Sequence, residues 1–379
     1  MPEILKIESY ASEHADRFPC RRLAVERLRE TYDRDRRLFS RQIRNGEWAS
    51  TQGTEEITST AICLIGLSRA GVSPNEIDLQ LEETFSSLCG ATRRQGYVGA
   101  LGLSLWAHAL YGAGGVEDVA AASGIDLQSL GGTFPTLTTM ELAWLVSGLC
   151  HQAAAGDGRA RDWLPEVLGG LVDRYSRNGR LFAHAAKGAP LAHRLRRRVA
   201  NFADQIYPLQ ALALASLVTG DVEPRQIAAD CAERLVALQG DLGQWWWHYD
   251  PKAGAVVGRY PVYAVHQHGM APMAFNSLRA AGGPDLETAA DRGRAWLTHN
   301  ELGLNLIEST SGIIWRDIER SEGAMARRLR QLRALVGRPD RNQATPPEEL
   351  RLNREIRPYE WGWLLFAQAM AEAAPGHLA

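Results

Sequence analysis

Six stretches of this chain are apolar almost all the way round a helix, and six others are apolar along one side only. The first set runs over residues 55–70, 97–111, 138–154, 201–219, 263–281 and 359–373. Helices of that kind are surrounded by protein on several sides. Their recurring Gly, Ala and Ser residues allow neighbours to approach closely. Glycines at 71, 112, 156, 220 and 282 follow their ends, where a left-handed closing residue is wanted. The second set, 20–43, 73–89, 159–175, 224–238, 285–299 and 319–336, is more charged and predicts helices with one wet face. In its last member Met325, Leu329, Leu332 and Leu335 form an apolar stripe among arginines. Pro74 and Pro224 stand where the first turn of a helix tolerates them.

Alternation of the two kinds predicts two concentric rings, an inner wall shielded by outer helices. The expected fold is all-α, a six-hairpin α/α toroid, as one domain over residues 1–379. The alternative is a right-handed helical solenoid that does not close. No strand-like alternation of useful length is read. Extra length falls near 176–200, 240–261, 303–317 and 338–357, in each case ahead of an inner helix. These inserts therefore crowd one rim, and loops on one face of a rigid scaffold are where function concentrates.

Composition narrows the partners. A net charge of −2 over 379 residues and a pI near 6.6 leave no basic field for nucleic acid. The five cysteines (20, 63, 89, 150 and 231) contain no C-x-x-C pair, which suits a reduced, cytoplasmic setting. The first residues carry no signal-peptide pattern, and no apolar run reaches the roughly 20 residues of a membrane span. Neither a metal site nor a cofactor is expected, since zinc-type spacings are missing. The partner expected is a small-molecule substrate.

Two stretches share the spacing Q-x-x-x-G-x-W: Gln42, Gly46 and Trp48, and Gln239, Gly243 and Trp245. They resemble the QW repeat of squalene–hopene cyclases and related terpenoid cyclases, whose α/α toroid is shared with protein prenyltransferase β subunits. Residues 176–182 and 311–316 look like decayed copies. The resemblance implies fold, with the motif as a staple between outer helices and loops. It does not extend to the acid signature D-x-D-D-T-A. The comparable stretch here is Glu56-Ile57-Thr58-Ser59-Thr60-Ala61, with Thr58 at the proton-donor position. A D-D-x-x-D run for magnesium pyrophosphate and prenyltransferase-type zinc ligands are missing too.

Chemistry is expected where inner helices begin. Asp204, Asp250, His266, Tyr263 and Glu360 are the candidate catalytic groups. Glu56, Trp246, Trp247, Tyr249, His268, Arg316, Asp317, Arg357 and Tyr359 are the candidate substrate contacts. Capping competes with catalysis for Glu55, Thr58 and Asp204, because a helix start also wants acids and hydroxyls. Pro208 inside the helix of Asp204 could free a carbonyl that this acid serves. His266 and His268, two apart, fall on different helix faces and do not suggest a shared metal. Trp246, Trp247 and Tyr249 offer an aromatic wall suited to a carbocation or a sugar ring. Arg194, Arg196, Arg197 and Arg198 form a basic cluster, a solvated face or an anion site.

Three functions remain. The leading one is a terpenoid-cyclase-like enzyme using acid/base chemistry on an isoprenoid or lipid-linked molecule. The second is a carbohydrate-active six-hairpin enzyme: a glycosidase with two carboxylates, or a lyase or epimerase using Tyr263 or His266 with Arg316 or Arg357. The third is a toroid that only binds a ligand.

Overall fold

The computed structural model describes residues 21–39, 42–44, 47–49, 53–323, 325, 326, 329 and 345–372. Its long helices alternate between two rings. The outer ones are α1 (Arg21–Thr31), α3 (Leu81–Gln95), α5 (Val116–Ala122), α7 (Gly158–Val172), α9 (Glu223–Ala237) and α11 (Glu287–Trp296). The inner ones are α2 (Thr54–Arg69), α4 (Leu101–Tyr111), α6 (Thr139–Ala154), α8 (Ala203–Thr219), α10 (Ala271–Ala280) and α12 (Pro358–Glu372). Each inner helix packs on the next, and α12 packs back on α2. The ring therefore closes, as a toroid requires and an open solenoid does not. No helix among the described residues is long and apolar enough to cross a membrane.

The small residues of the inner wall set how tightly it closes. At the seam, a Cβ placed on Gly66 of α2 would lie 2.1 Å from the carbonyl oxygen of Gly362 on α12. Gly102 of α4 and Gly148 of α6 meet in the same way, with the Gly102 oxygen 2.3 Å from a Cβ on Gly148. Glycines 112 and 220, at φ 64° and 75°, close α4 and α8 in the left-handed conformation expected of them.

Two expectations need correction. Val116–Ala122, α5, is an outer helix that the sequence pattern does not predict. Of the stretch 319–336, the first two residues belong to the strand Asp317–Arg320, residues 325, 326 and 329 are helical, and most of 321–344, with Leu332 and Leu335, lies outside the described residues. Met325 and Leu329, read as a core-facing stripe, are 71% and 52% exposed. Strands too short for a sequence pattern to reveal also stitch the rim. Thr138, at the start of α6, bridges to Ala185 in the loop before α8. Ala200–Asn201 pairs with His248–Asp250, joining the loops before α8 and α10. Val262–Tyr263 pairs with Asp317–Arg320, which pairs in turn with Leu350–Asn353. Glu355–Ile356 pairs with Gln42–Arg44 and so ties the α12 entrance to that of α2. The long loops thus form a belt around one rim, where the inner helices begin.

Candidate active site

A helix repeats its face every three to four residues, so equivalent steps of the inner helices face the same space. Glu56 stands three residues after Gly53, Glu141 after Thr138, Asp204 after Asn201, His266 after Tyr263 and Glu360 after Arg357. One turn below three of these acids come Trp144, Tyr207 and Trp363. Tyr207 and Trp363 meet across the barrel, from α8 to α12, with the indole N–H donating to the Tyr207 hydroxyl at 2.9 Å. Trp106 of α4 touches Trp363 at 5.8 Å between ring centroids. The interior one turn below the acids is therefore filled by aromatic rings.

The four acids share a step but differ in their partners. Both oxygens of Glu56 accept from Arg36, each at 2.6 Å. Glu141 accepts from the N–H and hydroxyl of Thr138, closing a capping box. Asp204 and Asn201 exchange hydrogen bonds, the Asn201 N–H donating to Oδ2 and Asn201 Oδ1 receiving the Asp204 N–H. Asp204 Oδ2 also accepts from Nδ1 of His184 at 2.8 Å, while Oδ1 has no hydrogen-bond partner. His184 Nε2 lies 3.5 Å from Nδ1 of His193, on the short helix Leu191–Leu195. Neither oxygen of Glu360 has a hydrogen-bond partner, although the residue is 2% exposed.

That isolation decides the protonation of Glu360. Burial disfavours its charge more than Arg316 and Arg357 favour it, so the carboxyl is raised well above the usual carboxylate range. His268 sits 4.0 Å away and is buried, and burial lowers its imidazole to about 3. Burial thus works against the charged form of both the acid and the imidazole that face each other. His268 and His266 belong to a π-helical turn, His266–Met270, at the head of α10. Such turns are frequent at functional sites.

His266 faces the aromatic wall. Its ring stacks on Trp247 at 5.6 Å and 16°, with Phe202 at 4.5 Å and Tyr263 at 5.1 Å. Burial first, then Arg316 and His268, lower it to about 3, and its Nδ1 lacks a hydrogen-bond partner. Tyr263 carries the Arg316 guanidinium over its ring at 5.2 Å, and burial raises its phenol. The Tyr359 phenol, beside Arg316 and Arg357, is likewise raised by burial.

Between these elements runs a network of charges. Arg316 donates to Glu355 at 2.9 Å and lies 3.5 Å from Asp317. Arg357 pairs with the other oxygen of Glu355 and stands 3.8 Å from Glu55. Burial raises Asp317 to about 7 despite Arg316, and Asn353 donates to its Oδ2 at 3.1 Å. Burial works against the charge of Arg316, but Tyr359, Tyr263, Glu355 and Asp317 outweigh it and keep the guanidinium protonated.

Other sequence candidates lie elsewhere. Asp250 holds a turn, accepting from the N–H groups of Lys252 and Ala253 and from Arg198 at 3.1 Å. Tyr249 is buried in the core. Trp246, 8% exposed, packs on Tyr260 beneath Arg259. Arg197 of the basic cluster donates to the Ala185 carbonyl. Sequence reading missed Arg36, Asn353 and Glu355, and it missed His184 entirely. Asn353 ends one short rim strand and Glu355 begins the next, and neither strand is long enough for a sequence pattern to stand out. His184 carries no local signal beyond lying in an insert.

The two Q-x-x-x-G-x-W stretches have different backbones. Around the first, Gln42–Arg44 and Glu47–Ala49 form a hairpin with Ile43 opposite Trp48; Gly46 lies outside the described residues. The second follows a helix: Gln239 donates to the Gly243 and Ala289 carbonyls, and Gly243 has φ 96°. Its Trp245 is fully buried. The shared spacing is not a structural repeat.

No family model matches the chain, and no curated protein matches it. Solved structures do. An unsaturated glucuronyl hydrolase specific for heparin aligns over 96% of this chain and 98% of its own, with a TM-score of 0.59 at 12% identity. Cellobiose 2-epimerase from Bacillus thermoamylovorans B4167 aligns over 96% and 99%, with a TM-score of 0.56 at 10% identity. The α-1,6-mannanase GH76A of Salegentibacter sp. HEL1_6 aligns over 93% and 98%, with a TM-score of 0.53 at 12% identity. These neighbours are sugar-processing toroids, and they correct the terpenoid cyclase and prenyltransferase resemblance drawn from the tryptophan spacing. What this chain has in common with them, at such identities, is the six-hairpin α/α toroid fold.

Proposed function

We propose that the chain is a carbohydrate-active enzyme that cleaves a glycosidic bond in the mouth of its toroid. One observation carries the reading: Glu360 is a buried carboxyl at the rim of the barrel with no hydrogen-bond partner, raised by burial well above the usual carboxylate range. A carboxyl raised in that way suits a general acid for a leaving glycosidic oxygen. Hydrolysis needs a second carboxylate to activate water or to attack the anomeric carbon. Asp204 fits that part, since His184 and the Asn201 N–H both donate to its Oδ2 and leave Oδ1 without a partner. Trp247 and Tyr263 supply partly exposed aromatic faces for a pyranose ring to lie on. The fold likeness to a glucuronyl hydrolase, an epimerase and a mannanase supports the same broad class, but fold alone does not assign chemistry. An isoprenoid substrate has no comparable support.

A second reading, sugar epimerisation, has one observation in its favour. His266 has an Nδ1 without a hydrogen-bond partner beside the aromatic wall, a position from which an imidazole can exchange a proton with a bound sugar. One experiment separates the two. A panel of disaccharides is incubated with the protein in D2O and followed by NMR. Hydrolysis yields monosaccharides without deuterium on carbon, and Glu360→Gln lowers the rate roughly 10²- to 10⁴-fold, as loss of a general acid does. Deuterium on a ring carbon of an intact disaccharide, retained in Glu360→Gln and lost in His266→Ala, establishes epimerisation instead.

A further inference from the structure

Resting on the carbohydrate reading, we infer that the mouth accepts an uncharged sugar and rejects uronic acids. The ground is the pairing of its arginines. Recognition of a sugar carboxylate calls for a guanidinium whose donors face the ligand, with no protein carboxylate already on them. Four arginines near the rim are matched already. Arg316 has Glu355 at 2.9 Å and Asp317 at 3.5 Å. Arg357 has Glu355 as a close partner and Glu55 at 3.8 Å. Arg36 is held by both oxygens of Glu56. Arg198 is on Asp250 at 3.1 Å.

Arg174 is spent differently. It is buried, and its two terminal nitrogens donate to the Leu137 and Phe134 carbonyls at 2.9 Å each. In the basic cluster Arg197 is tied to a carbonyl. Arg194 lies exposed on the rim helix Leu191–Leu195, where water and salt screen its attraction for an anion. A uronate entering the mouth meets Glu355, Asp317, Glu55 and Asp204, and must displace Glu355 from a buried pair to gain Arg316 or Arg357. Removing one partner of a buried, hydrogen-bonded pair is strongly unfavourable. A neutral pyranose requires no such exchange: its hydroxyls can donate to these same carboxylates. The charge pattern discriminates by repulsion as much as by attraction.

Isothermal titration of the full chain with cellobiose and α-1,6-mannobiose, against glucuronic-acid disaccharides and galacturonobiose, tests this. At least one neutral sugar is expected to bind, and at least tenfold more tightly than any uronate. Glu355→Gln frees Arg316 and Arg357, and is expected to raise uronate affinity at least fivefold. Should that variant not fold, Glu55→Gln, at a half-exposed carboxylate facing Arg357, is expected to raise it about twofold. Uronates that bind the wild type as tightly as neutral sugars overturn the inference and leave the carbohydrate reading standing. Binding of neither class, by wild type or variants, overturns both.

Discussion

Glu56 and Glu360 occupy the same step of two inner helices but have different neighbours. Arg36 takes both oxygens of Glu56, while Glu360 has no hydrogen-bond partner and burial raises its carboxyl well above the usual range. Asp317, on a rim strand, is pushed up to about 7 chiefly by burial. A carboxyl raised on folding binds more protons in the folded state than in the unfolded one between about pH 4 and pH 7. Its contribution to stability therefore falls as pH rises through that window, by at most about 1.4 kcal/mol per pH unit. Asp317→Asn is expected to remove this slope, so that urea unfolding at pH 5 and at pH 7 differs less than in the wild type. An unchanged difference would show that the carboxyl titrates normally. The sequence places Asp204, Glu360 and His266 at the heads of inner helices, because a polar residue one turn into an apolar helix has few places to point. Their partners are not placed in this way. Arg36, His184 and Glu355 come from loops and strands whose approach depends on the closed ring, and nothing in their local sequence marks it.

At the scale of elements, the ring is held where two glycines touch. Gly66 and Gly362 bring α2 and α12 together at the seam, with backbone in the space a Cβ would fill. Gly66→Ala is expected to lower unfolding free energy by about 1–3 kcal/mol, the usual cost of overpacking, as measured by urea denaturation. A neutral effect would mean that the seam is looser than described. Periodicity revealed the inner helices well, since residues apolar on every side cannot be placed at a surface. It was weaker for the outer ring. Val116–Ala122 spans two turns, too little for a one-sided pattern to emerge. In 319–336 the predicted start is too early: residues 319 and 320 belong to the strand Asp317–Arg320, which pairs with both Val262–Tyr263 and Leu350–Asn353. Pairing partners from distant loops set that boundary.

Across the whole molecule, the rim belt explains how one fold carries the site. Short strands join the loops before α8 and α10, before α10 and α12, and before α12 and α2. Each acid is thus positioned by its own helix and by its neighbour's loop. The same belt delivers Arg316, Asp317 and Glu355 to one place, and so sets the charge balance of the mouth. Tryptophan spacing misled because Q-x-x-x-G-x-W is satisfied by a hairpin in one place and a helix exit in the other. The placement of hydrophobic helices was the better guide to architecture.

If Glu360, Asp204 and Trp247 hold a sugar at the rim, a crystal structure of Glu360→Gln soaked with a disaccharide that the wild type cleaves will show it. The sugar is expected above the Tyr207–Trp363 floor, with its glycosidic oxygen within hydrogen-bond reach of residue 360 and one ring against Trp247. A sugar bound elsewhere, with the rim free of it, would rule out catalysis by these groups.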